Sequence, residues 1–330
     1  MSDRLTEINE WLSGLGHSDY VLEAASADAS FRRYFRVKSG DQSWVVMDAP
    51  PEQEPCDRFI AIAEKIRQAN LSAPVIYAQD LGKGFLLLSD FGSNDYLSLL
   101  DNASEAELYT DALLALLQMQ TLINADDLPA YDEELLNREM DLFEQWFLRA
   151  LMGIELDESE RRQWQKIKSV LVENALAQPN VFVHRDYHSR NLMRTSEGNP
   201  GILDFQDAVK GPISYDLVSL LRDCYIDWPE SRVEQLAKNY YQMAQSSGLV
   251  SVDLPVFMRW FDLMGVQRHL KAIGIFSRLK LRDDKEGYIK DIPRTLAYVS
   301  SVCARVPAMA ELYTLIDGKN LAARLALYLP

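Results

Sequence analysis

His184, Asp186, Asn191 and Asp204 are spaced H-x-D-x-x-x-x-N, with L-D-F placing Asp204 thirteen residues after the asparagine. Those residue types at that spacing suit phosphoryl transfer. One carboxylate, Asp186, orients an acceptor hydroxyl. An amide oxygen, Asn191, and a second carboxylate, Asp204, hold Mg²⁺ against the phosphates of a nucleotide. Because the transition state is loose, the position and charge of Asp186 matter more than its basicity. Asp204 follows the apolar Gly201-Ile202-Leu203 and precedes Phe205. A charge at such a strand end is costly unless paired or metal-bound, which favours the ligand role. Mg²⁺ takes few protein oxygens and leaves the rest of its shell to phosphate and water. His184 reads as a hydrogen-bonded brace of the loop. His188 either lines the acceptor pocket or shapes the loop. Asp207 and Asp216 read as cap or loop-bracing residues, Asp216 standing just ahead of an apolar helix in an N-cap position.

The elements that must position these residues follow from periodicity. Val181–Val183 is a short buried strand leading into the loop. Asn191–Met193 and Gly201–Leu203 read as a β-pair around the Ser196–Pro200 turn. Upstream, Leu5, Ile8, Leu12 and Leu15 predict an amphipathic helix over 3–15. Tyr20–Glu23, Phe31–Lys38 and Trp44–Asp48 read as antiparallel strands. Asp57–Gln68 reads as a helix with Phe59, Ile62, Ala63 and Ile66 on one face, followed by strands at 74–77 and 84–89. Residues 20–89 therefore read β-β-β-α-β-β. Ala24–Ser30 is a run of small residues between two strands, where backbone N–H groups could approach phosphates. Without a G-x-G-x-x-G it is equally an ordinary hairpin turn. The small lobe ends at Ser89-Asp90-Phe91-Gly92, read as a hinge whose backbone could meet an adenine edge. This D-F-G precedes the catalytic loop, so it is not the metal-binding D-F-G of the phosphoryl-transfer pattern. Beyond Asp95 helices dominate, at 103–122, 137–151, 159–177, 217–224, 230–247, 253–277, 290–305 and 308–328.

The chain has 330 residues, enough for two joined lobes, with boundaries expected at 1–90 and 91–330. A net charge of −15 argues against nucleic-acid binding, which needs basic surface. The three cysteines are far apart and odd in number, so no disulfide framework or zinc spacing is present and a reducing cytoplasm is expected. Asp3, Arg4, Glu7 and Glu10 interrupt any apolar core of a signal peptide, and no apolar run has the length of a membrane span. The expected partner is a small-molecule acceptor, not a nucleic acid or a membrane.

H-R-D-x-H-x-x-N-L, then L-D-F-Q-D-A, then G-P-x-x-Y-D-L-x-x-L, together resemble the aminoglycoside phosphotransferase/choline kinase-like superfamily, over residues 20–280 or so. The resemblance implies an α+β, two-lobed protein-kinase-like fold. A small antiparallel-sheet lobe with one helix carries the nucleotide, and a large, mainly helical lobe carries catalysis and acceptor. Within the superfamily, Ser30-Phe-Arg-Arg-Tyr-Phe-Arg36, Met47-Asp-Ala-Pro-Pro51, Gln206-Asp-Ala-Val and Gln267-Arg-His-Leu-Lys271 resemble the anomeric kinases of N-acetylmuramate and N-acetylglucosamine in bacterial cell-wall recycling. That likeness implies ATP- and Mg²⁺-dependent phosphorylation of the sugar C1 hydroxyl to the α-1-phosphate. An aminoglycoside, choline or homoserine-type kinase is one alternative. A catalytically inert nucleotide-binding module is another.

One departure from the superfamily stands out. Its third strand usually carries a phosphate-binding Lys or Arg, and here Trp44-Val-Val-Met-Asp48 places Met47 there. The candidates for the missing charge are Arg32, Arg33 and Arg36, with Arg32 and Arg36 on one strand face and Arg33 on the other. The nucleotide-binding set is therefore Ser30, Arg32, Arg33, Ser89, Asp90 and Phe91. For the acceptor, Arg268 and Lys271 form an i, i+3 pair on the helix 253–277. They either meet a lactyl carboxylate or brace aspartates of the large lobe. Arg190, inside the catalytic loop, and His188 complete the acceptor candidates.

Overall fold

The computed structural model describes residues 2–27 and 31–329. The chain divides into two compact units. The first holds the residues up to Asn94 together with Met193–Gln206, and the second holds Asp95–Leu192 and the chain from Asp207 onward.

The first unit is built on five antiparallel strands. In chain order its elements are α1 (Ser2–Gly14), β1 (Val21–Ala27), β2 (Arg33–Ser39), β3 (Gln42–Asp48), α2 (Asp57–Gln68), β4 (Ile76–Asp80) and β5 (Phe85–Ser89). The spatial order is β1-β2-β3-β5-β4. A two-residue turn at Gly40-Asp41 joins β2 to β3 and needs the left-handed backbone that Gly40 adopts at φ +57°. Alternation sends Val46, Phe85 and Leu87 to one face, where Ile8 and Leu12 of α1 cover them. Their neighbours Met47, Leu86 and Leu88 are buried as well. The unit thus carries two helices. α2 buries the face read from its spacing, namely Phe59, Ile62, Ala63 and Ile66.

The small-residue run departs from expectation. Ala24–Ala27 continue β1 rather than forming a loop, pairing with Arg33–Phe35 through a bulge between Ala24 and Ser26. The backbone groups of β2 take their ladder partners there, which small side chains do nothing to prevent. Asp28–Ser30 lie outside the described residues.

The segment from Met193 to Gln206 is stitched into the first unit as a hairpin, with strands Leu192–Met193 and Gly201–Ile202. Ile202 N donates to Ser72 O at 2.7 Å, and Arg194 N donates to Asn94 O at 2.8 Å. Gly201 faces the Phe91 ring so closely that a Cβ there would lie 2.7 Å from Phe91 Cδ2. Phe205, fully buried, sets its ring 4.8 Å from that of Phe59 on α2. Truncating such a phenylalanine to alanine costs about 3–5 kcal/mol.

The second unit is mainly helical. Its elements are α3 (Tyr96–Leu99), α4 (Glu105–Leu122), α5 (Glu133–Leu142), which runs on as a π-helical stretch over Phe143–Leu151, α6 (Glu158–Leu176), β6 (Asn180–Val183), β7 (Val209–Pro212), α7 (Ser214–Leu221), α8 (Glu230–Ser246), α9 (Leu254–Asp283), α10 (Ile292–Arg305), α11 (Ala310–Gly318) and α12 (Leu321–Leu325). α9 is the axis. α5, its π-helical continuation, α6, α7, α8 and α10 all pack on it. A helix buried on nearly every side shows no clean amphipathic stripe, and here charged residues such as Arg268 and Lys271 lie buried among Phe261, Leu263 and Leu270. Gly274 permits the close crossing, since a Cβ there would lie 2.4 Å from the carbonyl carbon of Leu142. α9 runs beyond the expected end at 277 and stops at Asp284, whose backbone is left-handed at φ +51°. The expected single helix at 308–328 is broken into α11 and α12 by Asn320, also left-handed. β7 pairs antiparallel with β6 and so fixes the strand that leads into the loop of Asp186.

Cys56, Cys224 and Cys303 are free and buried. Burial pushes all three thiols up, Cys303 to about 12. Among the described residues, no helix is long and apolar enough to cross a membrane.

Candidate active site

β6 delivers the chain to a loop held by one buried carboxylate. Asp216 accepts from His184 N at 2.6 Å and from Arg185 N at 3.0 Å. It is the third residue of α7, not its N-cap, and of the two roles read for it the structure has the loop brace. Burial pushes its carboxyl up to about 7, outweighing the two N–H donors. Arg185 needs this support. Its φ is +78°, a region that costs a side chain with a Cβ about 1–3 kcal/mol.

Asp186 follows in a web of short-range bonds. Its N–H donates to His184 Nδ1 at 3.2 Å, which leaves a neutral His184 with its proton on Nε2. Its carbonyl accepts from Asn191 Nδ2 at 2.9 Å and from His188 N at 3.1 Å. Ser189 donates through N (3.0 Å) and Oγ (2.5 Å) to Asp223 Oδ2. The loop that carries Asp186 and Asn191 is therefore fixed at both ends. Burial alone would raise the pKa of the Asp186 carboxyl. Lys271 foremost, then His188, Arg185 and Arg268, outweigh it and hold the group below the usual aspartate value. Asp186 is thus ionised at neutral pH.

The cations around it have distinct settings. Lys271 Nζ lies 3.0 Å from Glu139 Oε1 and donates to Tyr215 OH at 3.0 Å. Glu139, on α5, also accepts from Tyr131 OH and Arg185 Nη2. Arg268 is buried, with Nη1 3.7 Å from Cys224 Sγ and Nε without a hydrogen-bond acceptor. Arg190 is exposed, with Cζ 4.5 Å over the Tyr225 ring and 5.8 Å from that of Tyr288. His188 meets Tyr225 edge-on at 5.4 Å, and Tyr288 stacks on Phe276. Burial lowers the His188 pKa, against the pull of Asp223 and Asp186. The second unit thus sets Arg190 and His188 against the Tyr225 ring and brings the charges of Lys271, Arg185 and Arg268 to bear on Asp186.

Sequence reading passed over Glu139, Arg185 and Asp223. Glu139 had a signal: it shares the buried face of α5 with Leu136 and Met140, an acid set in an apolar stripe.

The first unit holds the remaining candidates. Asp204 sits at φ +60°, another left-handed residue with a Cβ, and accepts from Gln206 Nε2 at 2.8 Å. Arg32 Nη2 lies 3.9 Å from Asp204 Oδ1, and Arg32 Nε lies 3.9 Å from Glu54 Oε2. Arg33 pairs with Asp48, its cross-strand neighbour on β3, and Arg4 pairs with the same carboxylate. Arg36 forks onto Asp90 at 2.6 and 3.0 Å and donates to Gly92 O at 2.6 Å. Ser89 Oγ accepts the Val75 N–H at 2.9 Å, and Phe91 lies against Gly201. The side chains of Ser89, Asp90 and Phe91 are thus turned to contacts within the unit. Ser30 lies outside the described residues. The amide oxygen of Asn191 and the carboxylate of Asp204 are hard oxygen donors, the class that Mg²⁺ takes.

Known proteins bear on these features. The family described as "Phosphotransferase enzyme family" (APH) matches residues 21–251. An N-acetylmuramate/N-acetylglucosamine kinase of Pseudomonas putida is 47% identical over 304 residues, covering 92% of this chain and 89% of that one. A protein of the same name from Pseudomonas aeruginosa is 46% identical over 330 residues, covering 96% and 97%. In fold, the chain is similar to the choline kinase LicA of Streptococcus pneumoniae, with a TM-score of 0.65 at 14% identity over 91% of this chain and 99% of that one. It is also similar to the ADP-bound aminoglycoside phosphotransferase APH(2'')-Ib, with a TM-score of 0.60 at 16% identity over 90% and 98%. Both share the small antiparallel-sheet and large helical parts of a protein-kinase-like fold. With an ionised aspartate on a braced loop and a family match over more than half its length, the chain belongs to the phosphotransferase enzyme family.

Proposed function

We propose that the chain transfers the γ-phosphoryl group of ATP to the anomeric hydroxyl of N-acetylmuramate and N-acetylglucosamine, giving the sugar 1-phosphate in the cytoplasm. The observation that carries this reading is the end-to-end likeness to two kinases of that name, at 46–47% identity. In this reading the Asp186 carboxylate accepts the hydrogen bond of the C1 hydroxyl and takes its proton as the new O–P bond forms. The β–γ bridging oxygen leaves with ADP. Asn191 and Asp204 are the residues to hold Mg²⁺, which supplies charge neutralisation to the phosphates. Arg190, Arg268 and His188 are the acceptor contacts, and the aromatic faces of Tyr225 and Tyr288 suit a pyranose. Arg268 has an unfilled donor at Nε, which an acceptor oxygen would satisfy. Lys271, engaged by Glu139 and Tyr215, acts on Asp186 through its charge.

An ADP-release assay with Mg·ATP tests this. The panel is N-acetylglucosamine, N-acetylmuramate, their 1-O-methyl glycosides, an aminoglycoside, choline and homoserine. Release is expected with the two free sugars and not with the methyl glycosides. Release with a methyl glycoside, or only with one of the other acceptors, overturns the proposal. Asp186→Ala should remove nearly all turnover while ATP still binds, and near-native turnover would sink the role of Asp186.

A further inference from the structure

We infer that Arg190 meets the lactyl carboxylate of N-acetylmuramate, the group by which that acceptor differs from N-acetylglucosamine. The inference rests on the sugar-kinase reading above and names a contact that reading leaves open. The two sugars share the reacting C1 hydroxyl and the 2-acetamido group. N-acetylmuramate adds a carboxylate on an ether at C3. A site that takes both sugars must meet that charge with a cation that loses little when the neutral sugar binds instead.

The cations around Asp186 in the second unit differ in this respect. Lys271 and Arg185 both pair with the buried Glu139. Arg268 is only 6% exposed, and Asp186 and Asp223 already act on its charge. A buried cation reserved for a carboxylate would be stranded whenever N-acetylglucosamine bound, which is heavily penalised. A further acid brought to Arg268 would also crowd Asp186.

Arg190 is set differently. It lies four residues past Asp186 on the same loop and is exposed. Its guanidinium rests on aromatic faces, with Cζ 4.5 Å over the Tyr225 ring and 5.8 Å from that of Tyr288. Those rings are held in turn by Phe276 of α9, which stacks on Tyr288 at 5.7 Å and meets Tyr225 at 6.3 Å. A ring beneath a guanidinium orients it without using up the several N–H donors along its edge, which a carboxylate meets in a fork. Asp291 acts on Arg190 as well, but it leans to Arg294, 3.7 Å away. His188 joins this platform to the reacting group. Its ring meets Tyr225 edge-on at 5.4 Å, and its charge acts on Asp186. Being exposed, Arg190 keeps its water when the acceptor is neutral and exchanges it for a carboxylate when the acceptor is charged, so both sugars are admitted.

The test is ADP release with Mg·ATP, reading KM for N-acetylmuramate, its methyl ester and N-acetylglucosamine. The ester keeps the bulk of the lactyl group and removes its charge. In the wild type its KM should lie about 5–10-fold above that of the acid, between the loss of an exposed ion pair and that of a desolvated charge-assisted bond. Arg190→Gln should raise KM for the acid by a similar factor and leave the ester and N-acetylglucosamine within about 2-fold. Arg190→Lys keeps a charge and should recover part of the loss. Added salt should weaken the acid and not the ester. Equal KM for acid and ester in the wild type overturns the inference, whatever the variants do. So does a loss in Arg190→Gln shared equally by the two sugars, which would make Arg190 a prop of Tyr225 and Tyr288. In either case wild-type turnover of the sugars leaves the kinase reading in place. If the wild type turned over neither sugar, the kinase reading would fail, and the role of Arg190 with it.

Discussion

Glu139→Gln is the substitution that best isolates the support beneath Asp186. The carboxylate is buried on α5 and accepts from Tyr131 OH, Arg185 Nη2 and Lys271 Nζ. The amide keeps the shape and removes the charge. Arg185 and Lys271, with side chains 19% and 10% exposed, are then left with little solvent to compensate. Removing one partner of a buried ion pair costs about 3–5 kcal/mol, and Asp186 near both cations places this case at the low end, about 3 kcal/mol. In a chain of this size each kcal/mol moves the melting temperature by about 2 °C, so a fall of about 6 °C at pH 7 is expected in a thermal scan. The pH dependence has a definite sign. Burial by itself raises the pKa of Glu139, but Lys271 and Arg185 overcome it and hold the group below the ordinary glutamate value. A depressed folded pKa gives stability that is complete above the unfolded value of about 4.3 and lost as pH falls through the folded value. The gap between wild type and variant should therefore narrow below about pH 4. Adding Lys271→Met removes a stranded cation, so the double variant should be about 1–3 kcal/mol more stable than the sum of the two single losses. An unchanged melting temperature at pH 7, or strict additivity, would refute the reasoning.

Three further outcomes follow from the same geometry. Asp216→Asn keeps one good acceptor for the two N–H groups of His184 and Arg185, and kcat should fall about 10-fold or more with KM little changed. Because the Asp216 carboxyl is pushed up to about 7, above an unfolded value of about 3.9, its contribution to stability is full below about pH 4 and lost as pH rises through 7. Asp216→Asn should flatten that part of the stability profile, and a profile parallel to wild type would count against it. Gly201→Ala places a Cβ 2.7 Å from the Phe91 ring and should cost about 1–3 kcal/mol in denaturant titration. Phe91→Leu should recover part of that loss, and no recovery would locate the strain elsewhere. EDTA should weaken ATP binding in the wild type and leave Asp204→Ala unmoved; equal sensitivity would remove Asp204 from the metal.

The residues proposed to react were readable because phosphoryl transfer would confine them to one loop and one strand end. Asp186, Asn191 and Asp204 could be named from intervals alone. Their support was not legible, because it comes from far along the chain. Glu139 is 47 residues before Asp186, and only folding brings α5 to the loop. The strand alternation of Arg32, Arg33 and Arg36 was readable, but their sorting depended on which of Asp48, Asp90 and Asp204 each one met. β7 has little strand signal of its own, because its four residues include Gly211 and Pro212, and only pairing with β6 defines it. The burial of Arg268 and Lys271 was equally hidden, since charges on an apolar helix ordinarily mark its wet edge.

The three cysteines have a practical consequence. All are buried, and burial keeps their thiols protonated, so at neutral pH maleimides find little thiolate to attack. The native chain is therefore a silent background for site-directed labelling. A cysteine at exposed Arg67 in the first unit and another at exposed Gln242 in the second would carry a donor–acceptor dye pair with every native thiol left in place. Each label could then report on its own unit as nucleotide and sugar are added.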